Sequence, residues 1–398
     1  MDVFSVSADS LFPISSSQNA QKEQYALQYL EKGLTQFTEK KYQEAIQTLK
    51  QAVGLAPTAE SAIDAYDYIA SAYTTLGDHE AAIQTYKASI RAVPTRDLTH
   101  LALGNLYTSM GRLDEARVEY EQAVKLNPST ANRYSLGQGY LAVGLTNEAA
   151  RQFEMVQQAA PTEPQGKYGM GLTYAKEGRY EAAISAFKSA ISIDENYWEA
   201  YADLGFALMD NGEVEAAREV ADTLAANDTT LGTVLSQYIY EKANPKMVAV
   251  ISSDIFPDFL DSLGPRTKVS TLNTYLADPG DELVMSMKFV FSKPMDAQSV
   301  ENVSNWSISR AVGTGRGDGY NTGLALPDTE ATLAKTPLAV FYESTTQSAT
   351  VLFKVSQNAA GDATIDPSHI NFAFDGTDDF GLTMDQAADV YSGFSGFA

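Results

Sequence analysis

The sequence contains no cysteine, which excludes disulfide bonds, thiolate metal sites and cysteine nucleophiles. Basic residues are also few, since 28 Lys and Arg stand against 51 Asp and Glu and give a formal net charge of −23. Because phosphate groups are held by basic surfaces, we expect no nucleic-acid partner and no binding to anionic membranes. No stretch reaches ~18 consecutive apolar residues, so the sequence predicts no membrane insertion.

Histidine is scarce, because only His79, His100 and His369 occur, in different parts of the chain. The segment that begins at His79 resembles the start of an HExxH zinc motif, but Ile83 stands where the second His is needed. No acid, base and nucleophile converge in the sequence. We therefore expect a non-enzymatic protein with no catalytic residues, no cofactor and no metal site.

The N-terminal segment has little positive charge, since no Lys or Arg precedes Lys22. An apolar core of the kind found in cleaved signal peptides does not follow it. We predict that residues 1–22 form a flexible leader and that any export occurs without a cleaved signal peptide.

Glycine recurs along the first half of the chain with successive gaps of 34, 33, 34 and 34 residues, at Gly77, Gly111, Gly144, Gly178 and Gly212. A fixed period of this size is typical of stacked helical repeats. Each of these glycines is predicted to end a helix at a positive φ, which glycine adopts without strain. A second set of small residues, including Gly104, Gly137 and Gly171, is predicted to let two helices approach closely.

Aromatic residues and proline recur at fixed places in the same period. The third repeat shows the pattern, with Gly104, Tyr107, Ala116, Tyr120 and Pro128. These residues closely resemble the tetratricopeptide repeat, a helix–turn–helix unit, over residues ~26–231. The resemblance implies a right-handed α-solenoid of about six repeats plus a capping helix within residues 23–243, which binds proteins rather than transforming a substrate.

In this repeat family, ligands bind the concave face lined by the first helix of each repeat. Counting along the repeats places the following residues on that face: Leu30, Leu34, Phe37, Leu101, Asn105, Tyr134, Gln138, Leu141, Tyr168, Leu172, Phe206 and Met209. Chaperone-binding members hold a peptide carboxylate with Lys, Arg and Asn, and of these only Asn105 is present here. We expect an apolar groove covered by another stretch of polypeptide. The alternative is that some of these side chains belong to the core between the helices.

The composition changes after residue 244, where the helical period ends and β-branched residues and turn residues increase. Residues 282–292, 304–311, 337–343, 349–356 and 369–375 are predicted strands of an antiparallel β-sandwich. We assign the sandwich to residues 281–377, a linker to residues 244–280 and an acidic tail to residues 378–398.

Residues 289–296, reading Phe-Val-Phe-Ser-Lys-Pro-Met-Asp, resemble a bacterial immunoglobulin-like domain. The resemblance implies an immunoglobulin-like fold for the β half and an adhesive or structural role, commonly outside the cell.

Both chain ends carry apolar side chains that are candidates to insert into the groove or pair with a sheet edge. They are Val3, Phe4, Val6, Leu11, Phe12 and Ile14 at the beginning, and Phe394 and Phe397 at the end. We therefore predict an extracellular or cell-surface subunit that assembles with copies of itself into a filament or a surface layer. The alternative is a cytoplasmic, monomeric adaptor whose groove recruits a different protein.

Overall fold

The computed structural model describes residues 12–253, 255–311 and 328–397, with side chains from residue 18 onward. The chain divides into two compact units, Met1–Thr233 and Val234–Ala398. Helices follow one another along the first half: α1 (Phe12–Thr38), α2 (Tyr42–Leu55), α3 (Glu60–Thr75), α4 (His79–Ala92), α5 (Asp97–Ser109), α6 (Leu113–Leu126), α7 (Thr130–Ala142), α8 (Thr146–Ala159), α9 (Gln165–Lys176), α10 (Tyr180–Ile191), α11 (Trp198–Asp210), α12 (Val214–Asn227) and α13 (Thr229–Lys242).

From α1 to α12, each helix packs against the next one along the chain, and first helices of successive repeats also contact one another, as in α1 with α3, α7 with α9 and α9 with α11. The predicted helical solenoid is confirmed. Helix α1 begins at Phe12, so residues 12–22, predicted as part of a flexible leader, are helical. In the part of the chain that the structure describes, no helix is long and apolar enough to cross a membrane.

The periodic glycines end the first helix of each repeat as predicted. Gly77, Gly111, Gly144, Gly178 and Gly212 have φ values from +71° to +85°. An L side chain strains the backbone in this region, which explains why glycine returns with the repeat period.

Close helix approach explains the second glycine set. A Cβ atom on Gly137 would lie 2.6 Å from Cε1 of Phe153, and one on Gly171 would lie 2.4 Å from Cε1 of Phe187. Both phenylalanines are 0% exposed. Each aromatic ring therefore fills the space that the missing side chain leaves, and the packing is local to one repeat.

The second unit contains antiparallel strands and two short helices: β1 (Met247–Ile251), β2 (Thr267–Lys268), α14 (Val269–Leu272), β3 (Glu282–Phe291), α15 (Ala297–Glu301), β4 (Trp306–Arg310), β5 (Ala339–Glu343), β6 (Ser348–Ser356), β7 (Thr364–Ile365), β8 (Ile370–Phe374), β9 (Val390–Ser392) and β10 (Gly396–Phe397). The first sheet has the order β1-β3-β6-β5 and the second β10-β9-β8-β4, while β2 pairs with β7.

One apolar core lies between the two four-stranded sheets. The ring of Phe289 in β3 lies 5.6 Å from the rings of Trp306 in β4 and Phe372 in β8, measured between centroids. Phe353 in β6 also contacts Phe372, at 5.2 Å. Antiparallel sheets in the C-terminal half are thus confirmed, and the immunoglobulin-like assignment stays a prediction.

The structure corrects the predicted linker at residues 244–280. This segment contains β1, β2 and α14, and Val269 and Leu276 are 0% exposed in the core of the second unit. Its strands are short and irregular, so they lack the sustained alternation that identifies a strand in a sequence.

The predicted acidic tail at residues 378–398 is also corrected. β9 and β10 extend the second sheet, Phe397 packs 5.0 Å from Tyr391, and Phe394 stacks 5.0 Å from the ring of His369. Phe394 and Phe397 therefore belong to the fold of their own unit rather than to a free inserting tail. The partner of Phe394 is 25 residues away along the chain, which hid this contact from the sequence.

Candidate functional site

The candidate site is the surface that the first helices of the repeats form, α1, α3, α5, α7, α9 and α11, which we call the first-helix face. The predicted groove residues differ in how far this face exposes them. Asn105 and Gln138 are exposed, whereas Leu30, Tyr168 and Met209 are buried. The others are half-buried: Leu34, Phe37, Leu101, Tyr134, Leu141, Leu172 and Phe206.

Several of the apolar groove residues pack inside the repeats. Leu30, Leu34 and Phe37 belong to the core formed by α1, α2 and α3. Tyr134 and Leu141 pack against the cluster that contains Phe153. The groove is therefore less apolar than predicted. A side chain that the repeat spacing assigns to the groove can instead pack against the second helix of its repeat. Its exposed side chains are polar, and its half-buried side chains are aromatic or aliphatic.

Asn105 is engaged within its own repeat. Its Oδ1 accepts a hydrogen bond of 2.8 Å from the hydroxyl of Tyr120, and the hydroxyl oxygen of Thr108 lies 3.0 Å from the same tyrosine oxygen. The side chain of Asn105 is thus tied to Tyr120 of the same repeat, although the residue is exposed.

A cluster of three tyrosines and one aspartate joins α7, α9 and α11, and we call it the tyrosine–aspartate cluster: Tyr134, Tyr168, Tyr197 and Asp203. The Tyr168 hydroxyl donates to Oδ2 of Asp203 at 2.5 Å, and the ring of Tyr168 lies 4.8 Å from that of Tyr197. The hydroxyls of Tyr134 and Tyr197 lie close enough to influence each other's pKa. The Tyr134 hydroxyl accepts a hydrogen bond of 3.3 Å from Nε2 of Gln138. The hydroxyl and carboxyl groups of three repeats therefore meet at one place.

The electrostatics of this cluster are uniformly acidic. Burial raises the pKa of Asp203 above its usual range, the hydrogen bond from Tyr168 opposes this shift, and the Glu199 carboxylate adds to it. Burial also raises the pKa values of Tyr134, Tyr168 and Tyr197. The Asp203 carboxylate raises all three further, and Glu199 raises those of Tyr134 and Tyr197. All three phenols are neutral at physiological pH, and the negative charge belongs to the carboxylates.

At a second junction between first helices, that of α3 and α5, the carboxylate is paired with a cation. Asp67 of α3 forms an ion pair with Arg96, the residue immediately before α5, at 3.0 Å. Burial raises the pKa of Asp67, and Arg96 opposes the shift. This carboxylate therefore has its own internal cation.

Sequence analysis identified Tyr134 and Tyr168 but missed Tyr197 and Asp203. The two identified tyrosines are 34 residues apart and occupy the same repeat position. Tyr197 precedes α11, and Asp203 lies one residue beyond the counted position in the sixth repeat. The recurrence of tyrosine after one repeat period indicated Tyr134 and Tyr168. No pattern in the sequence connected Tyr197 and Asp203 with them.

Most of the candidate inserting residues at the beginning of the chain lie outside the residues that the structure describes. Val3, Phe4, Val6 and Leu11 lie outside the described residues. Phe12 and Ile14 are in α1, but their side chains lie outside the described part.

The second unit contains a buried trio of Asp366, Ser368 and His369 that resembles a hydrolase site in composition. Both the Ser368 hydroxyl and Oδ1 of Asp366 lie 3.1 Å from the same ring nitrogen, Nδ1 of His369. A catalytic relay needs them on opposite nitrogens, so this trio is a packing network. Within the described ranges, no group of three or more His, Cys, Asp and Glu is placed to hold a metal ion.

Three segments of the helical unit match tetratricopeptide repeat models: residues 30–97, 104–144 and 174–230. The first unit is built from tetratricopeptide repeats. Proteins with such repeats mediate protein–protein interactions and scaffolding.

Curated relatives are similar over the repeat half. A CTR9 homolog from Arabidopsis thaliana is 26% identical over 186 residues, which is 44% of this chain and 17% of that protein. The TPR repeat-containing protein YpiA from Bacillus subtilis is 24% identical over 156 residues, 38% of this chain and 37% of that protein. This chain thus spans well under half of the length of either relative.

A solved tetratricopeptide repeat protein from Parabacteroides merdae is 17% identical to this chain. The two structures superimpose with a TM-score of 0.49, and the superposition covers 54% of this chain and 86% of the solved protein.

Proposed function

We propose that the helical unit is a non-enzymatic protein-binding module whose first-helix face holds a segment of a partner polypeptide. The observation that carries this proposal is the run of polar, aromatic and aliphatic side chains that continues from α5 to α11. Asn105 and Gln138 are exposed there, and Tyr134, Leu172 and Phe206 are half-buried. Half-buried aromatic residues beside polar groups are typical of the anchors at protein interfaces.

Site-specific photo-crosslinking tests the proposal. Gln138 on α7 is replaced by benzoylphenylalanine in cells that produce this protein. The matched control carries the same group at Val118, a 43% exposed residue of α6, which is a second helix. We expect one or a few defined adducts from position 138 and none from position 118. Equal adducts from the two positions, or none from either, would contradict the proposal.

A second candidate function is self-association through the outer face of the first sheet. Strand pairing places Ile251, Lys288, Thr350 and Phe341 in one row across β1, β3, β6 and β5. Ile251 is 43% exposed and Phe341 is 54% exposed, whereas Val340, on the opposite side of β5, is 5% exposed. This row presents two large apolar side chains to solvent, which favours contact with another copy.

Sedimentation velocity of the full chain tests self-association. We expect an oligomer for the wild type and a monomer for Phe341→Ser. The control is Phe394→Ser, because Phe394 is 52% exposed in the turn between β9 and β10. Deletion of residues 1–11 in the same experiment tests insertion of Val3, Phe4, Val6 and Leu11 into a neighbouring copy. A wild type that stays monomeric at every concentration would exclude this candidate.

The proposed location follows from the self-assembling candidate. An extracellular or cell-surface subunit, exported without a cleaved signal peptide, remains the proposal, with a cytoplasmic adaptor as the alternative. Cell fractionation followed by immunodetection of this chain distinguishes the two.

A further inference from the structure

Two junctions between first helices are alike in position but differ in charge. At the first, Asp67 of α3 pairs at 3.0 Å with Arg96, the residue before α5. At the second, Tyr168 of α9 contacts Tyr197, the residue before α11, with ring centroids 4.8 Å apart. Tyr168 stands at the repeat position of Asp67, and Tyr197 stands where Arg96 does.

The second junction has a carboxylate without a matching cation. Asp203 of α11 accepts the Tyr168 hydroxyl at 2.5 Å, and among the described residues it forms no ion pair. The charged neighbour that acts on it is Glu199, which is also negative and is exposed. A half-buried carboxylate of this kind is stabilised by an opposite charge.

We propose that the tyrosine–aspartate cluster takes the guanidinium group of an arginine side chain on the partner polypeptide. That arginine supplies at the α9–α11 junction the cation that Arg96 supplies at the α3–α5 junction. The inference rests on the proposed function, because it names the chemistry of the segment that the first-helix face holds.

The shape of the cluster favours arginine over lysine. A guanidinium group is planar and carries five N–H donors, so it can bond Asp203 and a tyrosine hydroxyl at the same time. Its flat face also stacks on aromatic rings, and the cluster contains the half-buried ring of Tyr197, 4.8 Å from the buried ring of Tyr168. An ammonium group offers neither the plane nor the fork.

Titration of small probes against the full chain tests the inference. The chain is labelled with 3-fluorotyrosine, and the ¹⁹F signals of the cluster and of the distant Tyr107 are assigned by single Tyr→Phe variants. N-acetyl-arginine amide is expected to shift the Tyr134 and Tyr197 signals saturably and to leave Tyr107 unchanged. The citrulline analogue, which has the same shape without the charge, is expected to shift neither.

Substitution of the carboxylate provides the decisive comparison. Asp203→Asn keeps an acceptor for the Tyr168 hydroxyl and is expected to weaken arginine binding about tenfold, the effect of losing one charge-assisted hydrogen bond. Asp67→Asn is the matched control and is expected to leave binding unchanged. If Asp203→Asn does not fold, Asp203→Glu, which displaces the carboxylate, replaces it with the same expectation. Equal shifts by citrulline, equal affinity for N-acetyl-lysine amide or unchanged binding by the variant would overturn the inference.

The crosslinking experiment separates the failure of this inference from that of the proposed function. Capture of a partner from position 138 without arginine binding to the cluster would overturn the inference alone. Arginine binding without any captured partner would contradict the proposed function and leave the cluster as a cation site.

Discussion

Lys293 Nζ lies 2.5 Å from Oδ2 of Asp378, and the two side chains are only 3% and 0% exposed. The same ammonium group donates to the carbonyl oxygens of Tyr240 at 3.0 Å and Ala243 at 2.7 Å, at the C-terminal end of α13. Oδ1 of Asp378 accepts from the N–H groups of Phe380 and Leu382 at 2.9 and 2.8 Å. Both charges are thus paired and hydrogen-bonded inside the second unit, and the lysine also complements the negative end of a helix.

Lys293→Met is expected to destabilise the second unit by about 3–5 kcal/mol, because it leaves the buried Asp378 carboxylate without its cation. Urea unfolding followed by the emission of Trp306, in a Trp198→Phe background, measures the change. Lys354→Met is the control, since Lys354 pairs with Glu282 at 2.9 Å on the exposed surface and is expected to matter far less. Equal losses for the two variants would show that the buried pair has no special role.

Gly171→Ala is expected to destabilise the helical unit by about 1–3 kcal/mol, because the new methyl group meets the buried ring of Phe187. Gly54→Ala is the matched control. A methyl group added to Gly54, which lies within α2, would meet no atom within 4 Å, so this alanine is expected to stabilise by about 0.5–1 kcal/mol. Thermal unfolding by circular dichroism measures both. Addition of Phe187→Leu should recover part of the loss in Gly171→Ala, and absence of any recovery would argue against a steric origin.

Asp203→Asn is expected to change how stability depends on pH. Burial raises the pKa of Asp203 in the folded state above its unfolded value, so the folded state takes up the proton first as the pH falls. The wild type therefore gains stability relative to the variant as the pH is lowered through the raised pKa, and this gain is complete below the unfolded pKa. At pH 7 the variant should be at least as stable as the wild type. Urea unfolding of both proteins at pH 7 and at pH values down to about 4 tests the sign, and a wild type that loses stability relative to the variant on acidification would contradict it.

Deletion of residues 390–398 is expected to destabilise the second unit strongly. The deletion removes β9 and β10 and the contact of Tyr391 with Phe289, whose rings lie 5.8 Å apart in the core. Loss or a large downward shift of the Trp306 transition is the expected result. Phe394→Ser is the control, because Phe394 is 52% exposed and its removal leaves both strands in place. An unchanged transition after deletion would mean that these residues are a dispensable tail.

The sequence alone could predict the repeat half because its main contacts are local. Gly171 and Phe187 lie in consecutive helices of one repeat, and the two preceding repeats have the same kind of pair, Gly104 with Tyr120 and Gly137 with Phe153. The positive φ of Gly178 likewise depends only on how one helix ends. The five main strands of the β half were also visible, because alternation of apolar residues is a property of a short segment.

Long-range contacts decided the rest. The bond between Tyr168 and Asp203 joins residues of adjacent repeats, and neither residue type by itself marks a site. β9 pairs with β8 and β10 pairs with β9, and the segment before β3 packs into the same core, so a predicted tail and linker are parts of the sheet unit.

By itself, the amino-acid order determined a periodic helical half, an acidic surface and strands in the second half, since each follows from spacing and composition. Only the tertiary structure decided which apolar side chains are buried, where Asp203 accepts the Tyr168 hydroxyl beside Tyr197, and how the last strands are held. Those features depend on residues brought together from distant positions. The contacts between such residues contribute to stability only after the chain has been ordered by folding.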